Sequence, residues 1–126
     1  MRQEVNFDPV IGIDLGTTNS CVALFNPETQ SVEVLKNAAG KTFTPSWVAH
    51  AGVGPNDGYI VGEAAASMPD YYFEIKRIIG QTYDHVMKDR SMISHLPYEL
   101  VKGRNGRCEI KALNCQDVLT PEEISA

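Results

Sequence analysis

Apolar and polar positions alternate from Val10 onward. Over Val10 to Leu15, Ile11, Ile13 and Leu15 fall on one face and Val10, Gly12 and Asp14 on the other, the two-residue period of a strand with one acidic exception. A second β-rich run, Ser20 to Phe25, follows Gly16-Thr17-Thr18-Asn19, which reads as a hairpin turn, and Asn26-Pro27 closes it. Ser31 to Leu35 predicts a third antiparallel strand, completing a meander. Asn37 to Gly40 interrupts the pattern before a short strand from Thr44 through Val48. Gly52 to Gly58 reads as a loop, and Tyr59 to Val61 resumes as strand.

Helical signals begin only after this point. Alanine-rich Glu63 to Met68 predicts one or two turns before Pro69, and a longer helix is expected from Asp70, as cap, through Ile79 to Gly80. A third short helix is expected after Asp84. Tyr98 to Val101 and Cys108 to Ala112 flank a hairpin turn in which Asn105-Gly106 supplies positive φ angles. In Thr120-Pro121-Glu122-Glu123, threonine is N-cap, proline the first helical residue and Glu123 the reciprocal capping-box partner. The chain ends just as this helix begins, so the sequence reads as truncated.

Composition excludes more than it assigns. With 43% hydrophobic and 21% charged residues among 126, the chain is ordinary for a soluble globular domain. A net charge of -5 and scattered basic residues argue against nucleic acid, and no apolar run is long enough to span a membrane. Met1 to Pro9 carries no targeting pattern, so a cytoplasmic location is expected. Cys21, Cys108 and Cys115 form no C-x-x-C pair and read as free thiols, while His50, His85 and His95 are too dispersed for a metal triad.

The candidate chemistry lies in Ile11 to Ser20. A carboxylate, Asp14, ends a strand and is followed by Gly16 and two hydroxyl residues, Thr17 and Thr18, then Asn19. Glycine lets backbone approach an anion, turn amides can point at phosphate oxygens, and the hydroxyls add donors. A carboxylate beside phosphate implies a hydrated divalent cation between them. On the helix expected after Asp70, Lys76 would neighbour Tyr72, Phe73 and Ile79, either as an inward ammonium with an anionic partner or as a snorkelling lysine with its head in water. Gly40-Lys41-Thr42 is no P-loop, because Leu35 stands where a glycine is required, and no G-x-G-x-x-G is present.

The segment Ile11-Gly12-Ile13-Asp14-Leu15-Gly16-Thr17-Thr18-Asn19-Ser20 resembles the first phosphate motif of the seventy-kilodalton heat-shock chaperones, the heat shock protein 70 family. Four further segments resemble that family in order: Asn37 to Ser46, Val61 to Ala65, Phe73 to Gly80 and Thr120 to Ala126. The resemblance implies an α/β fold of the actin-like ATPase, ribonuclease H-like class. Within it, residues 1–41 would belong to subdomain A of lobe I, residues 42–118 to its smaller subdomain B, and residues 119–126 to the helix returning to subdomain A.

It also implies that Gly16, Thr17, Thr18 and Asn19 bind the phosphates of ATP or ADP, that Asp14 holds magnesium through water, with potassium a further cation, and that Lys76 is catalytic. A longer parent would couple ATP hydrolysis to binding unfolded polypeptides, with J-domain co-chaperones and nucleotide-exchange factors as partners. Half a cleft is expected to bind nucleotide weakly and hydrolyse it negligibly. The sequence departs from the family in a segment before Lys76 that is about five residues shorter, and in Thr42 and Gln81, which stand where arginine is common. Two other readings compete: a self-associating or partner-binding module, and another actin-like or sugar-kinase ATPase.

Overall fold

The computed structural model describes residues 9–50, 58–112 and 117–126. The expected loop from Gly52, apart from Gly58, lies outside the described residues, as do Cys115 and the segment before Pro9. The fold is α/β, assembled from three small antiparallel sheets joined by short helical turns.

The first sheet contains β1 (Val10–Leu15), β2 (Asn19–Asn26), β3 (Ser31–Val34) and β4 (Thr44–Pro45). β1 lies along one edge of β2, with Val10 opposite Phe25 and Leu15 opposite Ser20, while β3 and β4 share the other edge. The predicted meander and its hairpin are therefore present. Leu35 donates its amide to the Val22 carbonyl, so Val22 points its backbone polar groups away from β1. Residues alternate in this respect along a strand. Ile13, which faces Val22 across the ladder, thus turns its N–H and C=O outward, together with Ile11 and Leu15.

The second sheet joins β5 (Val48–His50), β6 (Tyr59–Val61) and β7 (Tyr71–Tyr72), with β5 in the centre. Here the sequence expectation of a helix from Asp70 to Ile79 is corrected. Tyr71 and Tyr72 pair with Ala49 and Val48 as strand, Glu74 turns the backbone left-handed at φ 57°, and only a single 3-10 turn, Ile75–Arg77, follows. Two tyrosines on a pleated strand stack against neighbours more effectively than in a helix interior: Tyr71 meets Trp47 at 5.6 Å between ring centroids and Tyr72 meets Tyr98 at 5.5 Å. The alanine-rich turn before it forms as a 3-10 helix over Gly62–Ser67.

The third sheet is β8 (Leu100–Lys102), β9 (Cys108–Lys111) and β10 (Val118–Leu119), with β9 central. The hairpin between β8 and β9 carries Asn105 at φ 57° and Gly106 at φ 73°, as the Asn-Gly pair predicts. Helix α1 (Tyr83–Val86) starts one residue before Asp84, capped by the Thr82 hydroxyl, and α2 (Arg90–Ile93) is capped by Asp89. Asp89 accepts from the Ser91 hydroxyl and the Met92 amide, which hold its carboxyl below the usual range. Helix α3 (Pro121–Ser125) begins with the predicted capping box, Thr120 and Glu123 satisfying each other's backbone amides.

The core sits between the second and third sheets and the short helices. Tyr72, Ile75, Ile78, Val86, Tyr98, Leu100, Cys108, Ile110 and Ile124 form one buried cluster. Ile110 is fully enclosed. The first sheet contributes none of its residues to that cluster, and every residue of β1 and β3 is exposed.

Candidate functional site

The turn between β1 and β2 is closed against itself. A Cβ added to Gly16 would lie 2.1 Å from the carbonyl oxygen of Asn19, so only glycine fits this approach. Ser46, one residue beyond β4, fastens the turn from outside. Its amide donates to the Thr18 carbonyl at 2.9 Å, its hydroxyl to the Gly16 carbonyl at 2.8 Å, and its oxygen lies 2.8 Å from the Ser20 hydroxyl. The Thr-Pro-Ser string marked this segment in the sequence, but nothing there showed that Ser46 would hold the turn.

Lys76 reaches the same place from sixty-one residues away. Its ammonium donates to the Leu15 carbonyl at 2.9 Å, at the outward edge where β1 ends. The approach comes from the 3-10 turn, so the helical neighbours expected from spacing do not position it. Glu74 aims this segment through its left-handed backbone, and the buried Ile75 and Ile78 anchor it on either side of the lysine. Lys76 is exposed, and a backbone carbonyl rather than an anion meets its head.

A hollow of about 430 Å³ opens beside this contact, lined among others by Gly16, Thr17, Ser46, Lys76 and Ile124. Thus Gly16, Thr17 and Lys76 of the sequence-predicted residues are brought together. Thr18, Asn19 and Asp14 do not line the hollow. Strand alternation places Asp14 on the opposite face of β1 from Leu15, at the base of the same turn. Its carboxylate makes no salt bridge among the described residues. A larger hollow of about 650 Å³, between Tyr83, Met87, Ile93 and Leu96, holds none of the candidate residues.

The connection from the first sheet to this site is held by Asn37. Its side-chain oxygen accepts from the amides of Ala39 and Lys41, and its side-chain nitrogen donates to Thr44 Oγ1 at 3.0 Å and lies within 3.5 Å of the Glu63 carboxylate. Gly62, at φ 77°, brings its backbone so close to Thr44 that a Cβ would lie 2.7 Å from the methyl group. Sequence segments far apart in the chain, Asn37 to Ser46 and Val61 to Ala65, are therefore one structural unit beside the turn.

The donor set suits hard, oxygen-rich ligands: turn amides, two threonine hydroxyls and a carboxylate. No cluster of three or more histidine, cysteine or acidic side chains able to enclose a metal occurs among the described residues, so any cation here would keep much of its water. The remaining thiol in the core, Cys108, has its ionisation pushed up by burial and by Glu109, which makes it a poor nucleophile. No helix among the described residues is long and apolar enough to cross a membrane. In comparison with known families, the model described as Hsp70 protein matches residues 10–126.

Proposed function

The chain belongs to the Hsp70 family, and we propose that it forms the amino-terminal part of that family's nucleotide-binding ATPase domain, with residues 1–41 in subdomain A of lobe I, 42–118 in subdomain B and 119–126 entering the returning helix. Gly16, Thr17, Thr18 and Asn19 receive the phosphates of ATP or ADP. Gly16 and Thr17 line the hollow that opens beside the turn, next to Lys76, which supports this. Asp14, exposed at the base of the turn, holds magnesium through water, and the cation supplies charge neutralisation between phosphate oxygens when bound.

Lys76 is the catalytic residue of this reading. The observation that carries it is the Lys76 to Leu15 hydrogen bond, which sets a cation beside the phosphate turn although most of the chain's first half separates them. With positioning and electrostatics as the main sources of rate in phosphoryl transfer, an ammonium fixed there orients the attacking water and faces the terminal phosphate. One wall of a cleft holds nucleotide weakly, so the family's chaperone cycle, with unfolded polypeptides, J-domain co-chaperones and exchange factors, belongs to a chain carrying both lobes, in the cytoplasm.

Titration of the 126-residue chain with magnesium and ATP, followed by backbone NMR, tests the site. Expected are shifts confined to Asp14 through Asn19 and Lys76, reduced at least about tenfold in affinity by Gly16→Ala. Shifts centred on the Tyr83 to Leu100 hollow, or none at millimolar nucleotide, would refute the assignment.

A further inference from the structure

Ser46 meets the turn between β1 and β2 through three contacts, and chemistry fixes the direction of each. A serine hydroxyl carries one hydrogen. Ser46 gives it to the Gly16 carbonyl, which can only accept, so in the 2.8 Å contact between the two hydroxyls Ser20 is the donor. The order is Ser20 to Ser46 to Gly16. The Ser46 amide donates in its turn to the Thr18 carbonyl. Two carbonyls of the turn therefore converge on a single residue outside it.

A trans peptide unit points its C=O and its N–H in opposite directions, and no peptide bond among the described residues is cis. The Gly16 carbonyl shares a plane with the Thr17 amide, and the Thr18 carbonyl shares one with the Asn19 amide. With both carbonyls drawn toward Ser46, the Thr17 and Asn19 amides face away from it. Without those bonds each plane is free to turn over and present a carbonyl where an anion needs a donor. Resting on the phosphate-binding reading above, we infer that Ser46 is a positioning residue: it sets which way two peptide planes of the turn face, and thereby how strongly the turn holds phosphate.

The segment that carries Ser46 is itself held from both sides. Hydrogen bonding alternates along an antiparallel pair, so the bond from Ser46 to Thr18 makes the next pair, Pro45 with Asn19, one that needs no N–H. Proline stands where its missing donor costs nothing, and its ring fixes the backbone that leads into Ser46. One residue further back, Thr44 Oγ1 accepts from the Asn37 side chain at 3.0 Å. On the other side the Trp47 carbonyl accepts from the Gly62 amide at 2.9 Å, and the Trp47 ring lies against Tyr71. Ser46 thus orients the turn from the junction where the first sheet passes into the second.

Backbone and carbonyl NMR of the 126-residue chain, without and with magnesium and ATP, tests this. Ser46→Ala removes the hydroxyl and frees the Gly16–Thr17 plane, while the amide bond to Thr18 remains. In the nucleotide-free chain it should move the Gly16 carbonyl signal and leave the signals of the enclosed cluster around Ile110 in place. Ser20→Ala should move the Gly16 signal less, because the donor to that carbonyl is still present. With nucleotide, affinity should fall at least about fivefold in Ser46→Ala and less than about twofold in Ser20→Ala. Ser46→Thr, which keeps the hydroxyl and can place its added methyl in the adjoining hollow, should restore both the signal and the affinity. A Ser46→Ala chain that binds as tightly as the parent overturns the proposal. So does a Ser46→Thr chain that regains the parent's Gly16 signal yet binds as weakly as Ser46→Ala. A parent that binds no nucleotide at about 20 millimolar refutes the functional reading instead. The hold of Ser46 on the turn is then judged by the Gly16 carbonyl alone, and an unmoved signal in Ser46→Ala overturns it.

Discussion

Two regions of this molecule are held together by different forces. The first sheet, from Val10 to Val34, is a hydrogen-bonded ladder with no buried residue in β1 or β3. The region from Val48 onward contains the enclosed cluster around Tyr72, Ile78 and Ile110, where stability comes from removing apolar surface from water. The β-ladder supplies the proposed phosphate turn, Ser46 fastens it from the end of β4, and the packed region supplies Lys76 to hold it from the other side. A site built this way takes part of its rigidity from the region that does not contain the turn.

Substitutions that probe each region should therefore differ in size. Ile110→Ala, which opens a cavity at a fully enclosed position, should cost about 3 kcal/mol in urea unfolding followed by circular dichroism. A loss below about 1 kcal/mol would mean that the packed region does not carry the stability assigned to it. Tyr98→Phe is next. Its hydroxyl donates to the Phe73 carbonyl, and burial pushes its phenol well above the usual tyrosine range. Removing the donor leaves a half-buried carbonyl unpaired, at about 1.5 kcal/mol.

Thr120→Ala removes one half of the α3 capping box and should cost about 1 kcal/mol. The same cap has a pH signature. The Thr120 amide and hydroxyl hold the Glu123 carboxyl below its ordinary range, so this contribution is complete above the ordinary glutamate value and fades as pH falls through the lowered one. Acid titration of the Glu123 carboxyl by NMR should show the depressed midpoint in the parent and one moved only part of the way back in Thr120→Ala, because the residue 120 amide still donates to the carboxylate while the hydroxyl is gone. The smallest effect is expected for Ile13→Ala, within about 1 kcal/mol, because the side chain is 71% exposed. A larger loss would show that the first sheet has a core of its own and would erase the contrast.

What the sequence made legible follows the range of the forces involved. The β1–β2 hairpin, the Asn105-Gly106 turn and the Thr120 capping box are local, and each is written in a few neighbouring residues. The helix expected from Asp70 to Ile79 failed because its competitor was distant: β5 supplies a strand edge on which Tyr71 and Tyr72 pair, and Trp47 and Tyr98 supply the aromatic faces. Local propensity cannot register partners more than twenty residues away. The turn chemistry of Gly16 to Asn19 was readable from residue type. The convergence of Lys76 and Ser46 upon it was not, since both depend on how separate segments dock.

The Lys76 contact has a mechanical consequence. An ammonium carries three hydrogens, and the Leu15 carbonyl engages one of them. The others stay available to an occupant of the adjoining hollow, so the lysine need not abandon the end of β1 in order to grip something else. One side chain then works as a rivet between backbone and guest, and a tug on either is felt by the other.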